Sequence, residues 1–138
     1  MAGKKLTFID LFAGCGGLSE GFYNCGYKPL AHLEVDERAC GTLSKQMIRH
    51  GFNDLETKSA VLQGDIKKTS TIIKLKKTIN NRIANVIVGG PPCQSFSKLG
   101  RVRDPNSMKL DTRNFLYKEY VNILNFIKPE MFIFENVT

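Results

Sequence analysis

Five short apolar runs, each closed by turn residues, alternate with stretches whose apolar residues recur at helical spacing, and few folds accept that alternation. Strands separated by helices cannot close as hairpins, so they run parallel and are joined by right-handed crossovers. The runs are Leu6–Ile9, Pro29–Val35, Ala60–Leu62, Ala84–Val88 and Met131–Phe134. After the first, Leu18, Phe22 and Tyr23 share a helical face that stops at Cys25-Gly26. Asp36 is placed to cap a helix carrying Ala39, Cys40, Leu43 and Met47, which ends at Arg49-His50-Gly51. Ser70 starts a third helix with Ile72, Ile73, Leu75, Ile79 and Ile83 as its inner stripe. A fourth carries Phe115, Leu116, Tyr120, Ile123, Leu124 and Ile127 and stops at Lys128-Pro129. The fold class expected is α/β, one domain with a Rossmann-like, mostly parallel sheet whose fifth strand nearly ends the chain.

Composition narrows the classes of function. Of 138 residues, 42% are hydrophobic and 24% charged, which is globular rather than disordered. Twenty Lys and Arg against thirteen Asp and Glu leave +7, a surplus that favours a polyanionic partner. No apolar run is long enough for a bilayer, and no secretory segment follows Met1-Ala2-Gly3-Lys4-Lys5. A cytoplasmic protein with no membrane partner is expected. Cys15, Cys25, Cys40 and Cys93 form no C-x-x-C pair, and His32 and His50 stand apart from them, so reduced thiols and no metal site are expected. Cys25 and Cys40 read as small buried hydrophobes, and Cys15 as part of a turn.

In a parallel sheet, ligands sit beyond the carboxyl ends of the strands, and the distinctive residues fall there. Asp10 to Gly17 follow the first strand, Glu34 and Asp36 the second, and Gly64-Asp65 the third. Phe12-Ala13-Gly14-Cys15-Gly16-Gly17 only partly matches a dinucleotide fingerprint and lacks the lysine of a phosphate loop. It serves either as a tight structural turn or as a place where backbone approaches a ligand. Glu34 is either a solvated carboxylate or an acceptor for ribose hydroxyls, and together with the turn it favours an adenosine-type ligand without pyrophosphate. Asp65 is either a turn aspartate or an acceptor for an exocyclic amine. NAD remains a rival for the same turn.

The sharpest feature is Gly89-Gly90-Pro91-Pro92-Cys93-Gln94-Ser95-Phe96-Ser97. Two glycines and two prolines impose a stiff path after a buried strand, which suits a thiol nucleophile held at a cleft. From Lys98 to Lys109 four cations (Lys98, Arg101, Arg103, Lys109) face one carboxylate, Asp104. That is either a solvated loop or a segment that holds a phosphate backbone or closes over substrate. Glu135 ends the fifth strand, expected beside the fourth. It is either exposed, or buried against Phe132 and Phe134 with a raised pKa suited to donating a proton.

Asp10-Leu11-Phe12-Ala13-Gly14-Cys15-Gly16-Gly17, Glu34-Val35-Asp36, Gly64-Asp65-Ile66, Gly90-Pro91-Pro92-Cys93-Gln94-Ser95-Phe96-Ser97, Asp111-x-Arg113-Asn114-x-Leu116 and Glu135-Asn136-Val137 stand in that order. In this the chain resembles the cytosine-C5 DNA methyltransferases along essentially its whole length. The resemblance implies a Rossmann-like S-adenosylmethionine-dependent methyltransferase fold. Phe12, Ala13, Gly14, Gly17, Leu18, Glu34, Val35, Asp65, Ile66, Pro92 and Leu116 would then line the S-adenosylmethionine pocket. Cys93 would be the nucleophile that adds to C6 of a cytosine flipped out of double-stranded DNA, and Glu135 would hold the base. Gln94, Ser95, Ser97, Lys98, Arg101 and Arg103 would belong to the loop at the DNA. Family members are longer, with further strands, an arginine-bearing motif, a target-recognition region and a last helix that returns to the cofactor. Residues 1–138 are therefore expected to be the N-terminal cofactor-binding and catalytic part of a bacterial modification methylase, weak or inactive alone. A complementary C-terminal polypeptide or a second copy would complete it. An RNA cytosine methyltransferase and a non-catalytic subunit of a split enzyme are the alternatives.

Overall fold

The structure, a computed structural model, describes residues 5–92 and 115–136. Five parallel strands form one sheet: β1 (Thr7–Leu11), β2 (Lys28–Glu34), β3 (Val61–Gln63), β4 (Val86–Gly89) and β5 (Met131–Phe134), in the order β3-β2-β1-β4-β5. The described helices are α1 (Gly17–Asn24), α2 (Glu37–Arg49), α3 (Asp54–Ala60), α4 (Thr69–Ile79) and α5 (Leu116–Ile127). The chain builds outward from β1 to β3, then returns to lay β4 on the other side of β1. That reversal opens a crevice at the carboxyl ends of β1 and β4, the usual ligand position in such sheets.

Each face of the sheet has its own core. Ile9, Leu11, Leu33, Leu62 and Ile87 pack with Leu75 and Ile79 of α4 and with Leu116, Tyr120 and Ile123 of α5. On the opposite face Phe8, Val86 and Val88 meet Tyr23 of α1, Met47 of α2 and Ala60 of α3. Tyr120 fastens α5 to the sheet. Its buried hydroxyl lies 3.2 Å from the Ile87 carbonyl and 3.0 Å from that of Ile133, spanning β4 and β5. The Asp36 cap expected for α2 is present, its Oδ1 accepting from the Ala39 N–H at 2.8 Å.

Four expectations are corrected. α3 was not anticipated, although Asn53-x-x-Glu56 is a capping box whose two reciprocal bonds both form, at 2.9 and 3.0 Å. The inner stripe of α4 is Thr71, Leu75 and Ile79, one residue every fourth position; Ile73 is exposed, and Ile83 lies beyond the helix and is exposed as well. Cys25 is exposed where a buried thiol was expected, whereas Cys40 is buried as anticipated. Asp10 is not a turn residue. It pairs in register with His32 and Val88 inside the sheet and is fully buried.

Among the described residues β5 is an edge strand, and Met131, Phe132, Ile133 and Phe134 are all exposed. An exposed apolar edge is a surface that natural sheets usually cover.

Candidate functional site

A cavity of about 300 Å³ opens at the carboxyl ends of the strands, within the range of small-ligand sites. Phe12 follows β1, Glu34 and Val35 end β2, and Asp65 and Ile66 follow β3. Pro92 follows β4, and Leu116 begins α5; all seven line the cavity. Leu33, Gly64, Lys67 and Gly90 line it too and were not singled out, although Gly64 and Gly90 stood in quoted strand-end motifs. Of the remaining residues expected there, Ala13 and Gly14 form the turn behind the wall, and Gly17 and Leu18 open α1. These four do not line the cavity.

The turn after β1 is drawn tight by hydrogen bonds. Phe12 carries φ of 60°, a left-handed conformation that a bulky residue adopts only where the surroundings enforce it. The Ala13 N–H donates to the Leu33 carbonyl at 3.1 Å, and the Gly16 N–H to the Ala13 carbonyl at 2.9 Å. Gly16, with φ of 92°, has no room for a side chain, since a Cβ would meet Leu43 Cδ1 at 2.6 Å and the Gln46 amide oxygen. No larger residue fits where α1 starts against α2.

Glu34 organises the floor. Its Oε2 accepts from the Gly14 N–H at 2.8 Å, and its Oε1 from the Val35 and Asp36 N–H groups at 2.8 and 2.9 Å. The carboxylate therefore ties the glycine turn to the end of β2, and Oε2, with one bond, keeps acceptor capacity for a ligand. The Gly14 and Gly16 amides, which a pyrophosphate would need, are already committed to protein acceptors. A phosphate there would also face a carboxylate. Asp65 Oδ1 caps the Lys67 N–H at 2.9 Å, so it is a turn aspartate and also part of the cavity wall. The set is two carboxylates among the apolar walls Phe12, Val35, Ile66 and Leu116, which suits a flat ring joined to a polyhydroxylated or cationic group.

Beside the cavity, the ends of β4 and β5 come together. The Glu135 N–H donates to the Gly89 carbonyl at 3.0 Å, and a Cβ added to Gly90 would land on the Glu135 carboxylate. β4 and β5 are neighbours as expected. Burial of Glu135 is not found: it is exposed, as are Phe132 and Phe134. Cys93, Gln94, Ser95, Ser97, Lys98, Arg101, Arg103, Asp111, Arg113, Asn114 and Val137 lie outside the described residues.

A larger hollow of about 930 Å³ lies at the opposite, amino end of the sheet, between α3 and α4, and contains none of the residues expected to act. Among the described residues no helix is long and apolar enough to cross a membrane.

Comparison with known proteins follows the same residues. The sequence family described as C-5 cytosine-specific DNA methylase matches residues 6–138. The type II methyltransferase M1.HphI of Haemophilus parahaemolyticus is 39% identical over 133 residues, covering 96% of this chain and 32% of its own length. M.DdeI of Desulfomicrobium norvegicum is 37% identical over 132 residues, covering 96% and 28%. Among solved structures, a prophage-encoded candidate DNA modification methyltransferase (E. coli) superposes with a TM-score of 0.67 at 32% identity, covering 96% of this chain and 32% of that one. The chain spans about a third of the length of these relatives.

Proposed function

Because the chain belongs to the C-5 cytosine-specific DNA methylase family, we propose that it is the cofactor-binding and thiol-bearing part of an enzyme that methylates C5 of cytosine in double-stranded DNA. The family points to S-adenosylmethionine as the methyl donor. The observation that carries the reading is the cavity at the β1/β4 reversal, walled by Phe12, Val35, Ile66 and Leu116, with Glu34 and Asp65 also in its lining and Glu135 beside it. Its residues fit that cofactor: apolar walls for adenine, carboxylates for ribose and for a cationic centre, and Gly14 and Gly16 amides already bonded within the protein rather than turned to a pyrophosphate.

When bound, S-adenosylmethionine supplies an electrophilic methyl on a sulfonium. The chain's own residues supply the rest. Cytosine C5 is a weak carbon nucleophile, and the Cys93 thiolate, by adding at C6, makes the ring enamine-like and pushes electron density onto C5. Glu135 holds N3 and the exocyclic amine and stabilises the charge that this addition develops. Once C5 has taken up the methyl, loss of the C5 proton to solvent returns its electron pair to the C5–C6 bond and expels the Cys93 thiolate from C6. C6 is hidden in a stacked base, so the nucleotide leaves the helix first, at a cost of a few kcal/mol. Lys98, Arg101 and Arg103, with Gln94, Ser95 and Ser97, are the residues assigned on this reading to contact with the DNA. The domain is that of a bacterial modification methylase acting in the cytoplasm. Its exposed β5 edge supports a covering partner, either a complementary polypeptide or a second copy.

Labelled methyl incorporation tests the reading, with duplex DNA and tRNA offered in parallel to the enzyme containing this chain. Label at cytosine C5 of DNA is expected, and label confined to tRNA would overturn the assignment. Glu34→Ala is expected to weaken S-adenosylmethionine binding by about 10- to 100-fold, since it removes charge-assisted bonds and releases the Gly14 amide. Calorimetric titration of the chain checks this, and unchanged affinity would remove Glu34 from the site.

A further inference from the structure

Four polar side chains are buried together on the α1 face of the sheet, and none of them lines the cofactor cavity: Asp10 on β1, Ser19 and Tyr23 on α1, and His32 on β2. They form one chain of contacts. Tyr23 Oη is 2.8 Å from His32 Nε2, His32 Nδ1 is 3.2 Å from Ser19 Oγ, and Ser19 Oγ is 2.5 Å from Asp10 Oδ2. Phe8 stacks edge-on against Tyr23 and His32, so the surroundings are apolar. The other Asp10 oxygen, Oδ1, has no hydrogen-bond partner among the described residues.

Such a chain runs in one direction at a time. Burial holds His32 neutral, its pKa pushed down to about 3, and a neutral imidazole carries one N–H and one bare nitrogen. An ionised Asp10 only accepts. Ser19 then donates to it, His32 Nδ1–H donates to Ser19, and Tyr23 O–H donates to the bare Nε2. A protonated Asp10 reverses each step, because the proton finds a partner only on Oδ2. The acid donates to Ser19, the Ser19 O–H turns to His32 Nδ1, and the imidazole proton moves to Nε2 and faces Tyr23 Oη. An unpaired buried charge at Oδ1 costs more than an unpaired neutral carbonyl, which favours the protonated form.

We propose that the proton on Asp10 sets the tautomer of His32, and that this reversible chain is the positioning network of the glycine turn. Each member is rooted close to the turn. Asp10 stands two residues before Phe12, Ser19 sits in the first turn of α1 behind Gly16, and His32 stands two residues before the Glu34 that holds Gly14. Burial and the nearby Glu34 charge push the Asp10 pKa up to about 7, against the lowering effect of Ser19. Among the described residues, the titratable groups around Asp10 are His32 and Glu34 on β2, Tyr23 on α1 and Tyr120 on α5, with Glu20 of α1 acting on Tyr23; the paired Val88 of β4 adds none. From the end of α2, His50 meets Glu20 at 2.9 Å and packs its ring on Tyr23.

The test is long-range ¹H–¹⁵N correlation of the His32 ring in the labelled chain from roughly pH 5.5 to 8.5, which spans the expected midpoint. The Nε2–H tautomer is expected to dominate at the acid end and Nδ1–H at the alkaline end. The Asp10 carboxyl ¹³C shift and the Gly14 and Gly16 amide shifts should share that midpoint. Asp10→Asn places an amide donor toward Ser19, so Nε2–H is expected at every pH. Ser19→Ala should let Asp10 titrate while His32 no longer follows. A single His32 tautomer throughout, or an imidazolium, overturns the coupling. Glycine amides that ignore the Asp10 midpoint overturn the positioning role. The pH series on the unaltered chain decides both points even if Asp10→Asn fails to fold.

Discussion

Replacing Cys93 with serine is expected to lower methyl incorporation into DNA by at least about 10³-fold while leaving S-adenosylmethionine affinity within about twofold. The asymmetry follows from where the two tasks reside. On the proposed reading the affinity resides in the cavity lined by Phe12, Val35, Ile66, Leu116, Glu34 and Asp65, which three separate strand ends and α5 hold in place. Attack on C6 depends on a thiolate, and a serine hydroxyl provides almost no alkoxide at neutral pH. Glu135 alone does not replace it, because holding the base edge leaves C5 as weakly nucleophilic as before. Single-turnover methylation assays and a calorimetric titration of the same variant separate the two quantities. Retained turnover in Cys93→Ser would mean that C5 is activated without a covalent bond.

The second large effect is on stability against pH. Asp10 keeps its proton to about pH 7 in the folded chain, whereas its ordinary pKa is 3.8. Between those values the folded state binds the extra proton, so this contribution is full below about pH 4, falls as pH rises and is gone above about 7. Over that window it amounts to about 4 kcal/mol. His32 works in the opposite sense. Its folded pKa is depressed to about 3 from 6.5, so the unfolded state binds more protons below 6.5 and stability rises with pH up to that point. The two slopes oppose each other from about pH 4 to 6.5, so the unaltered chain should show a nearly flat profile there. Asp10→Asn removes one slope and should expose the other. The variant is expected to gain stability from pH 4 to 6.5 and to hold it at pH 8, with the difference from the unaltered chain changing by a few kcal/mol across the range. Denaturant titrations at five pH values measure this. Parallel profiles for the two proteins would contradict a buried, proton-holding Asp10.

The elements most legible in the sequence were those where local chemistry and burial agree. Met131–Phe134 is recovered residue for residue, and the Asp36 cap starts α2. Phe12, Glu34, Val35, Asp65, Ile66, Pro92 and Leu116 share one cavity because a parallel sheet brings all its carboxyl ends to one side. What escaped has physical reasons. α3 has a capping box but only Thr57 and Ala60 buried, too small a stripe for periodicity to register. Ile73 lies off the fourfold spacing of α4, whereas Ile83 keeps that spacing but falls beyond the helix end at Ile79, and composition alone could not tell either from Leu75 and Ile79. Asp10 and His32 look like solvent-facing polar residues until Ser19 and Tyr23, nine residues from Asp10 and His32 respectively, supply their partners. That Glu34 also accepts three backbone amides was not legible, because its partners Gly14, Val35 and Asp36 come together only when the turn after β1 meets the end of β2.

The covalent step is tested most directly with duplex DNA carrying 5-fluorocytosine at the target position, incubated with S-adenosylmethionine and the enzyme containing this chain. Fluorine at C5 blocks the elimination that frees the enzyme, so the account predicts a protein–DNA adduct that maps to Cys93 and is absent in Cys93→Ser. Methylation of ordinary DNA with no trapped species, or a crosslink at Cys15, Cys25 or Cys40, would contradict it.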